Sequence, residues 1–369
     1  MIKSSPSIKF AQKDQAEFFS ALKVRINSYF EENKLSQKGN VYLYIKSIVF
    51  LTIYLLPISL ILFDVVNGWG VILAYALMGL GVVGIGMSIM HDAIHGSYSK
   101  IPWLNNLMGR TIDLVGGNAT SWKIQHNVLH HTFTNLFGFD EDIEDKPILR
   151  LSPHGKLRKI HRYQHYYAIL LYGLTTLSWV TMKDFKQLKD YSERGLLQKV
   201  GASFNSVLFE MIFFKALYFM LFLILPFYLN SSGWMWVLAG FFTMHFIAGA
   251  ILTTIFQLAH VVEETEHPEV HDDGVMENTW AIHQLKTTSN FARNNRILSW
   301  YIGGLNYQIE HHLFPNISHV HYRSLSTIVK RTAKEFGIPY NEYRTLSSAL
   351  SSHFRVLKML GRGEFNNYH

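Results

Sequence analysis

Histidine is the residue whose type and spacing point to chemistry in this chain. Imidazole is the usual protein ligand for zinc, copper, iron and nickel. His311 and His312 stand in Gly303-Gly304-Leu305-Asn306-Tyr307-Gln308-Ile309-Glu310-His311-His312-Leu313-Phe314-Pro315, a stretch with no other strongly basic side chain. One such pair is weak evidence for a metal. Two more runs accompany it, His91-Asp92-Ala93-Ile94-His95 and His126-Asn127-Val128-Leu129-His130-His131. On a helix, His91 and His95 at i and i+4 share a face and reach a common ion. His126 and His130 repeat that spacing, with His131 turned toward a neighbouring position. His260, in Gln257-Leu258-Ala259-His260, joins them if the chain brings it to the same depth. Eight neutral imidazoles are too many for one tetrahedral zinc and suit two metal ions.

The nearby carboxylates narrow the chemistry. A zinc hydrolase usually carries His-Glu-x-x-His, and that string is absent. A carboxylate-bridged di-iron bundle needs two Glu-x-x-His pairs, and only Glu264 to His267 fits. Asp92 and Glu310 fall inside the histidine runs and are expected to orient imidazoles. The acidic run Asp140, Glu141, Asp142, Glu144 and Asp145 follows the second run closely. One or two of its carboxylates share that task in one reading, and all form a solvated loop in the other. With no cysteine, disulfides, iron–sulfur clusters and thiolate zinc are excluded.

The elements that must position these residues are membrane helices. Only 17% of the 369 residues are charged, against 49% hydrophobic, well below the roughly 25% charge of a soluble domain. Residues 47–66, 71–90, 207–229 and 234–256 are almost wholly apolar, each approaching the ~20 residues that cross a bilayer core. Short links make them two hairpins. Gly79, Gly81, Gly84 and Gly86 allow another helix to come close to the second span. Residues 166–182 are apolar but short, and are expected to form an interfacial or re-entrant segment. Phe18, Leu22, Ile26, Tyr29 and Phe30 recur at helical spacing within residues 1–40. They predict an amphipathic helix lying on a membrane or on the body of the protein. Lys215 and His245, inside the apolar stretches, are expected to be structural.

Lys and Arg number 8 in residues 1–46, 14 in 91–203 and 11 in 257–369, with Lys215 inside a span and none in either hairpin turn. By the positive-inside bias, both termini and the central region face the cytoplasm. Four spans then place every histidine run on one membrane face. The net charge of +7 accordingly points to a membrane and not to nucleic acid. The expected architecture is all-α and multi-pass: four transmembrane helices as two hairpins, with a cytoplasmic helical cap over a dimetal site. No repeat or linker divides residues 1–369, so one domain is expected.

Together, His91–His95, His126–His131 and Gln308–His312 resemble the three histidine boxes of the integral-membrane fatty acid desaturases, over roughly residues 40–340. A third box that opens with Gln308 resembles the front-end desaturases, which insert a double bond between an existing one and the carboxyl end. The resemblance implies two iron ions, O2 as co-substrate, an acyl-lipid or acyl-CoA substrate, and a bacterial inner membrane or endoplasmic reticulum. It also implies His260 as a ligand, and leaves Gln308 open as a ligand, a water-bridged group or neither. Many front-end desaturases carry a fused cytochrome b5 with His-Pro-Gly-Gly; here the only His-Pro is His267-Pro268, followed by Glu269. A separate donor, a ferredoxin or a cytochrome b5 with its reductase, is therefore expected. Trp280 and His283, in a segment resembling one that precedes the third box, are candidates to line the acyl or head-group site, with core packing as the alternative. A hydroxylase on the same scaffold and a non-enzymatic membrane metal-binding protein are the competing functions. Against transport, the histidines sit at a membrane face and not near the midplane.

Overall fold

A computed structural model describes residues 8–11, 16–270 and 274–365. Four of its helices are long and apolar enough to cross a membrane: Val41–Leu62, Trp69–Ile94, Phe204–Leu229 and Trp234–His260. The first begins where the Asn40 side chain accepts from the amides of Tyr42 and Leu43, and the third where Ser203 accepts from Ser206 N. These caps satisfy donors that a helix start otherwise leaves open.

The two hairpin turns meet at one end of the bundle. Asn230 Nδ2 donates to the carbonyls of Ile61 and Val66, both at 3.0 Å, and Ser231 N donates to Asp64 Oδ1 at 2.9 Å. Inward faces supply the core, with Tyr54, Tyr75, Met78, Phe222 and Met244 buried, whereas Phe209, Ile212 and Phe213 face outward. The second span lies between the first and the fourth. A Cβ at Gly79 would stand 2.7 Å from the Met244 carbonyl, and one at Gly81 2.9 Å from Tyr54 Cβ. Small residues therefore set how closely these helices approach.

Lys215 lies within the third span, yet its ammonium reaches the carbonyls of Gly116 (2.8 Å) and Trp179 (3.1 Å) and pairs with Asp184 at 2.9 Å. His245 bonds Tyr218 OH at 2.9 Å and Thr176 Oγ1 at 3.2 Å. Both side chains are fully used in packing the bundle against residues 164–183. That apolar stretch is broken into Gln164–Gly173, Thr175–Ser178 and a π-wound turn, Trp179–Lys183. It is too short to cross, and it seats on the fourth span through Thr176 Oγ1 to His245 O (2.7 Å).

The remaining elements gather at the other end of the bundle. Helix Ala16–Glu32 buries Phe18, Leu22, Ile26 and Phe30 against Leu325, Val329 and Ala333 of helix Tyr322–Glu335. Its apolar stripe thus lies on the protein. Strand is confined, among the described residues, to two short parallel pairs. One joins Lys9–Phe10 to Val275–Met276; the other runs from Ser289 opposite Asn341 to Phe291 opposite Tyr343.

Candidate metal centre

Three segments and the end of the fourth span carry the histidines to one place. The second span changes to π winding at Ile85–Met90 and ends in the turn His91–Ile94, so His91 and His95 project from its final turn. His260 is the last residue of the fourth span. The second run sits in residues 119–133, capped by Asn118, whose side chain accepts from Ser121 N at 2.9 Å. Its middle, Ile124–His130, is also π-wound. A π turn closes five residues on, not four. His126 is therefore matched with His131, their Nε2 atoms 3.1 Å apart, while His130 turns to a different group of ligands. The expected pairing of His126 with His130 is corrected in this respect.

Helix Gln308–Leu313 carries the third run. Gly303 and Gly304 precede it with φ of 62° and 66°, a region open mainly to glycine. A Cβ on Gly303 would overlap the Met87 carbonyl, so this turn presses the third run against the second span. From the other side Asn290, in strand Ser289–Phe291, accepts from Ile309 N at 3.0 Å.

The result is two groups of imidazole nitrogens. Those of His91, His95, His126 and His311 lie within 4.8 Å of one another, and so do those of His130, His260 and His312. His131 stands between them: its Nε2 is 2.9 Å from His311 Nε2, and its ring stacks on His312 with centroids 4.4 Å apart. All eight histidines are thus brought together.

The hydrogen bonding fits a metal in each group. His130 Nδ1 donates to Asp140 Oδ2 at 3.0 Å, His312 Nδ1 to Gln284 Oε1 at 2.8 Å and His260 Nδ1 to the Thr287 carbonyl at 3.2 Å. With Nδ1 as the N–H, each ring directs an Nε2 lone pair the other way. Those three Nε2 atoms are buried and have no hydrogen-bond partner among the described residues, a state that a bound cation relieves. In the first group, His126 Nε2 lies 3.2 Å from His91 Nε2 and 3.4 Å from His311 Nε2, and His95 Nε2 has no hydrogen-bond partner among the described residues. Facing lone pairs at such distances are likewise suited to sharing an ion.

Electrostatics keeps most of the rings neutral. Burial, reinforced by neighbouring imidazoles, holds His95, His126, His131, His311 and His312 well below the usual histidine range. His130 is the exception. Burial opposes its protonation too, but Asp140 and Asp142 beside it carry its pKa above the ordinary value. Asp140 also accepts from the amides of Asn135 and Asp142, at 3.0 and 3.1 Å, so this member of the acidic run is wholly committed.

The two carboxylates inside the runs go elsewhere. Asp92 Oδ2 accepts from Ser318 Oγ at 2.7 Å and His319 Nδ1 at 2.9 Å, and the carboxylate stands 4.0 Å from His91 Nδ1. The imidazole it orients most closely is therefore His319. Glu310 accepts from Asn290 Nδ2 at 2.8 Å and Tyr340 OH at 2.9 Å, and touches no ring of the cluster. Positions one and two apart on a helix do not face each other, so Glu310 points away from His311 and His312. Burial pushes its pKa up to about 7. Gln308 is buried one turn before His312. Trp280 Nε1 donates to the His131 carbonyl at 3.0 Å, and His283, held down to about 4 by burial, donates from Nε2 to the Thr134 carbonyl at 2.9 Å. They brace the chain at His131 and three residues after it.

The family model for fatty acid desaturases matches residues 67–344. The chain belongs to that family. It is similar to the sn-1 linoleoyl-lipid 6-desaturases of Arthrospira platensis and of Synechocystis sp., at 34% identity to each. The matches cover 93% of this chain and 92% of the former, and 96% and 98% for the latter. An acyl-lipid (8-3)-desaturase of Physcomitrium patens is 35% identical over 97% of this chain and 75% of its own length. The protein is therefore an oxidoreductase, a membrane-embedded fatty acid desaturase with a histidine cluster suited to metal and a lipid substrate. Neither the hydroxylase nor the non-enzymatic alternative is favoured.

Proposed function

We propose that this desaturase is of front-end type and acts on an acyl lipid, introducing a cis double bond between an existing one and the carboxyl end. The observation that carries the reading is the convergence of eight histidines, seven of them buried and His95 partly so, at one end of four spans, in a chain whose relatives are named linoleoyl-lipid and acyl-lipid desaturases. His91, His95, His126 and His311 would hold one iron and His130, His260 and His312 the other, with His131 between them. Gln308 lies beside this set and supplies no assigned ligand. Two irons with O2 and two electrons supply the oxidising power that acid–base side chains lack for an unactivated C–H bond. The protein's part is to keep most of the imidazoles neutral, orient His130, His312 and His260 through Asp140, Gln284 and Thr287, and hold the site largely away from water.

The distribution of Lys and Arg, with none in either hairpin turn, supports a cytoplasmic location for the histidine end. The same basic surface suits an acidic electron carrier, a ferredoxin or a cytochrome b5. We assign residues 1–369 to one desaturase domain. The test is expression in a host with a competent donor, feeding of linoleate, and gas chromatography–mass spectrometry of the lipids. A new bond on the carboxyl side of the existing one is expected. A bond on the methyl side, or a hydroxylated acid, contradicts the reading.

A further inference from the structure

A cavity of about 250 Å³ opens at the histidine end of the first span. Its place is fixed by Gly39 N, which donates to the Ser97 carbonyl at 2.9 Å just after His95, and by Tyr98 OH, which donates to Ser47 at 2.9 Å. The cavity is lined by Lys46, Arg293, Arg296, Arg323, His319 and Trp300 among others, and no carboxylate is among its lining residues. Arg293 is engaged with Glu342 at 2.6 Å. Arg296 and Arg323 are exposed at its rim.

Lys46 is the informative member. It is 4% exposed, its ammonium meets His319 Nε2 at 3.0 Å, and it forms no ion pair among the described residues. The nearest carboxylate in this chain of contacts, Asp92, is reached only through the His319 ring, so an anion in the cavity would be the first to meet the Lys46 amine directly. Two exposed arginines opposite offer the planar donor fork that matches phosphate oxygens. Tyr42 and Trp300, lining the same cavity with large exposed surfaces, are the residue types that sit at the level of lipid head groups.

We infer that this cavity binds a phosphate of the acyl carrier and thereby anchors the carboxyl end of the substrate. The inference rests on the acyl-lipid front-end reading and extends it. A double bond placed by counting from the carboxyl end requires that end to be held. The cavity is connected to the metal site by contact, from Lys46 to His319, from His319 Nδ1 to Asp92 at 2.9 Å, and from Asp92 to His91 at 4.0 Å. An anchor there stands at a fixed offset from the place of reaction. Phosphate occurs both in a phospholipid head group and in coenzyme A, and the experiment separates the two.

Full-length iron-loaded protein in detergent would be titrated calorimetrically with dioctanoyl phosphatidylglycerol, octanoyl-CoA and dioctanoyl monogalactosyl glycerol. The wild type is expected to bind a phosphate-bearing probe at least about tenfold tighter than the galactolipid, and R296Q/R323Q to lose about that factor. The charge-matched control K186Q/K189Q, on exposed positions of helix Asp184–Glu193, is expected to bind as wild type. Loss confined to phosphatidylglycerol identifies a phospholipid head group; loss confined to octanoyl-CoA identifies the thioester carrier. Equal binding of the galactolipid, or unchanged binding by R296Q/R323Q, overturns the inference. Because no turnover is measured, failure of the front-end assignment in product analysis leaves this result separate.

Discussion

In the second histidine group each ring has an oxygen behind it, whereas in the first the rings are placed chiefly by the backbone and by one another. Asp140, Thr287 and Gln284 fix the tautomers of His130, His260 and His312. In the first group His311 Nδ1 lies 3.1 Å from Tyr322 OH, but among the described residues His91 Nδ1 has no hydrogen-bond partner, and the Asp92 carboxylate is 4.0 Å away. His91 and His95 are instead aimed by the last turn of a packed membrane helix. The difference teaches that His130 and His312 are held by side-chain hydrogen bonds a single substitution can remove, whereas His91 and His95 are held by a helix end that no single side chain controls.

That contrast can be broken at several points. Replacing a ligand should be the most severe: His311→Ala in the first group and His312→Ala in the second should each abolish product, read by lipid analysis, while membrane insertion is retained. Full activity in either variant would remove that residue from the ligand set.

Next in size is an acid effect at the corner of the second group. His353 Nδ1 donates to the Val261 carbonyl at 2.8 Å, one residue past His260, and burial lowers its pKa from 6.5 to about 4. The folded protein therefore keeps His353 neutral at pH values where the unfolded chain takes up a proton. Stability should be complete above about pH 6.5 and fall as pH drops toward about 4, by on the order of 3 kcal/mol from this group. Thermal unfolding across that window should show the slope, and His353→Gln should flatten it; an unchanged slope would exclude His353 as its source.

A smaller effect should follow Asp140→Asn, which weakens the partner of His130. Loss of such an orienting group typically costs about 10–100-fold in metal affinity, and competition with a chelator should show it for one ion of two. Asp92→Asn should cost less metal than Asp140→Asn, because Asp92 is occupied by Ser318 and His319 and lies farther from its ligand. The reverse order would reverse the comparison between the clusters.

Much of this was legible in the residues. Long apolar stretches separated by short turns can only cross and return, and the runs of histidine could meet only if four spans left them on one side. His260 was visible because it follows an apolar stretch at the right depth. What could not be read was local winding. The sequence of residues 124–130 has ordinary helical spacing, and nothing in it announces the π turn that pairs His126 with His131 and sends His130 to the other group. The partners of the rings were also hidden, because Gln284, Thr287, Asn290 and Tyr340 approach from distant segments whose contacts exist only after folding. Asp140 was flagged by its place in an acidic run, but nothing marked it apart from its neighbours. His319 gave no signal beyond its type, although it connects Asp92 to Lys46.

The most direct test is Mössbauer spectroscopy with an iron count on full-length protein loaded with 57Fe, comparing the wild type with His312→Ala. Two ions held by separate histidine groups predict two irons per chain in the wild type, and in the variant one iron with the signal of the other site lost. A single iron per chain in both proteins, with the same spectrum, would contradict the account.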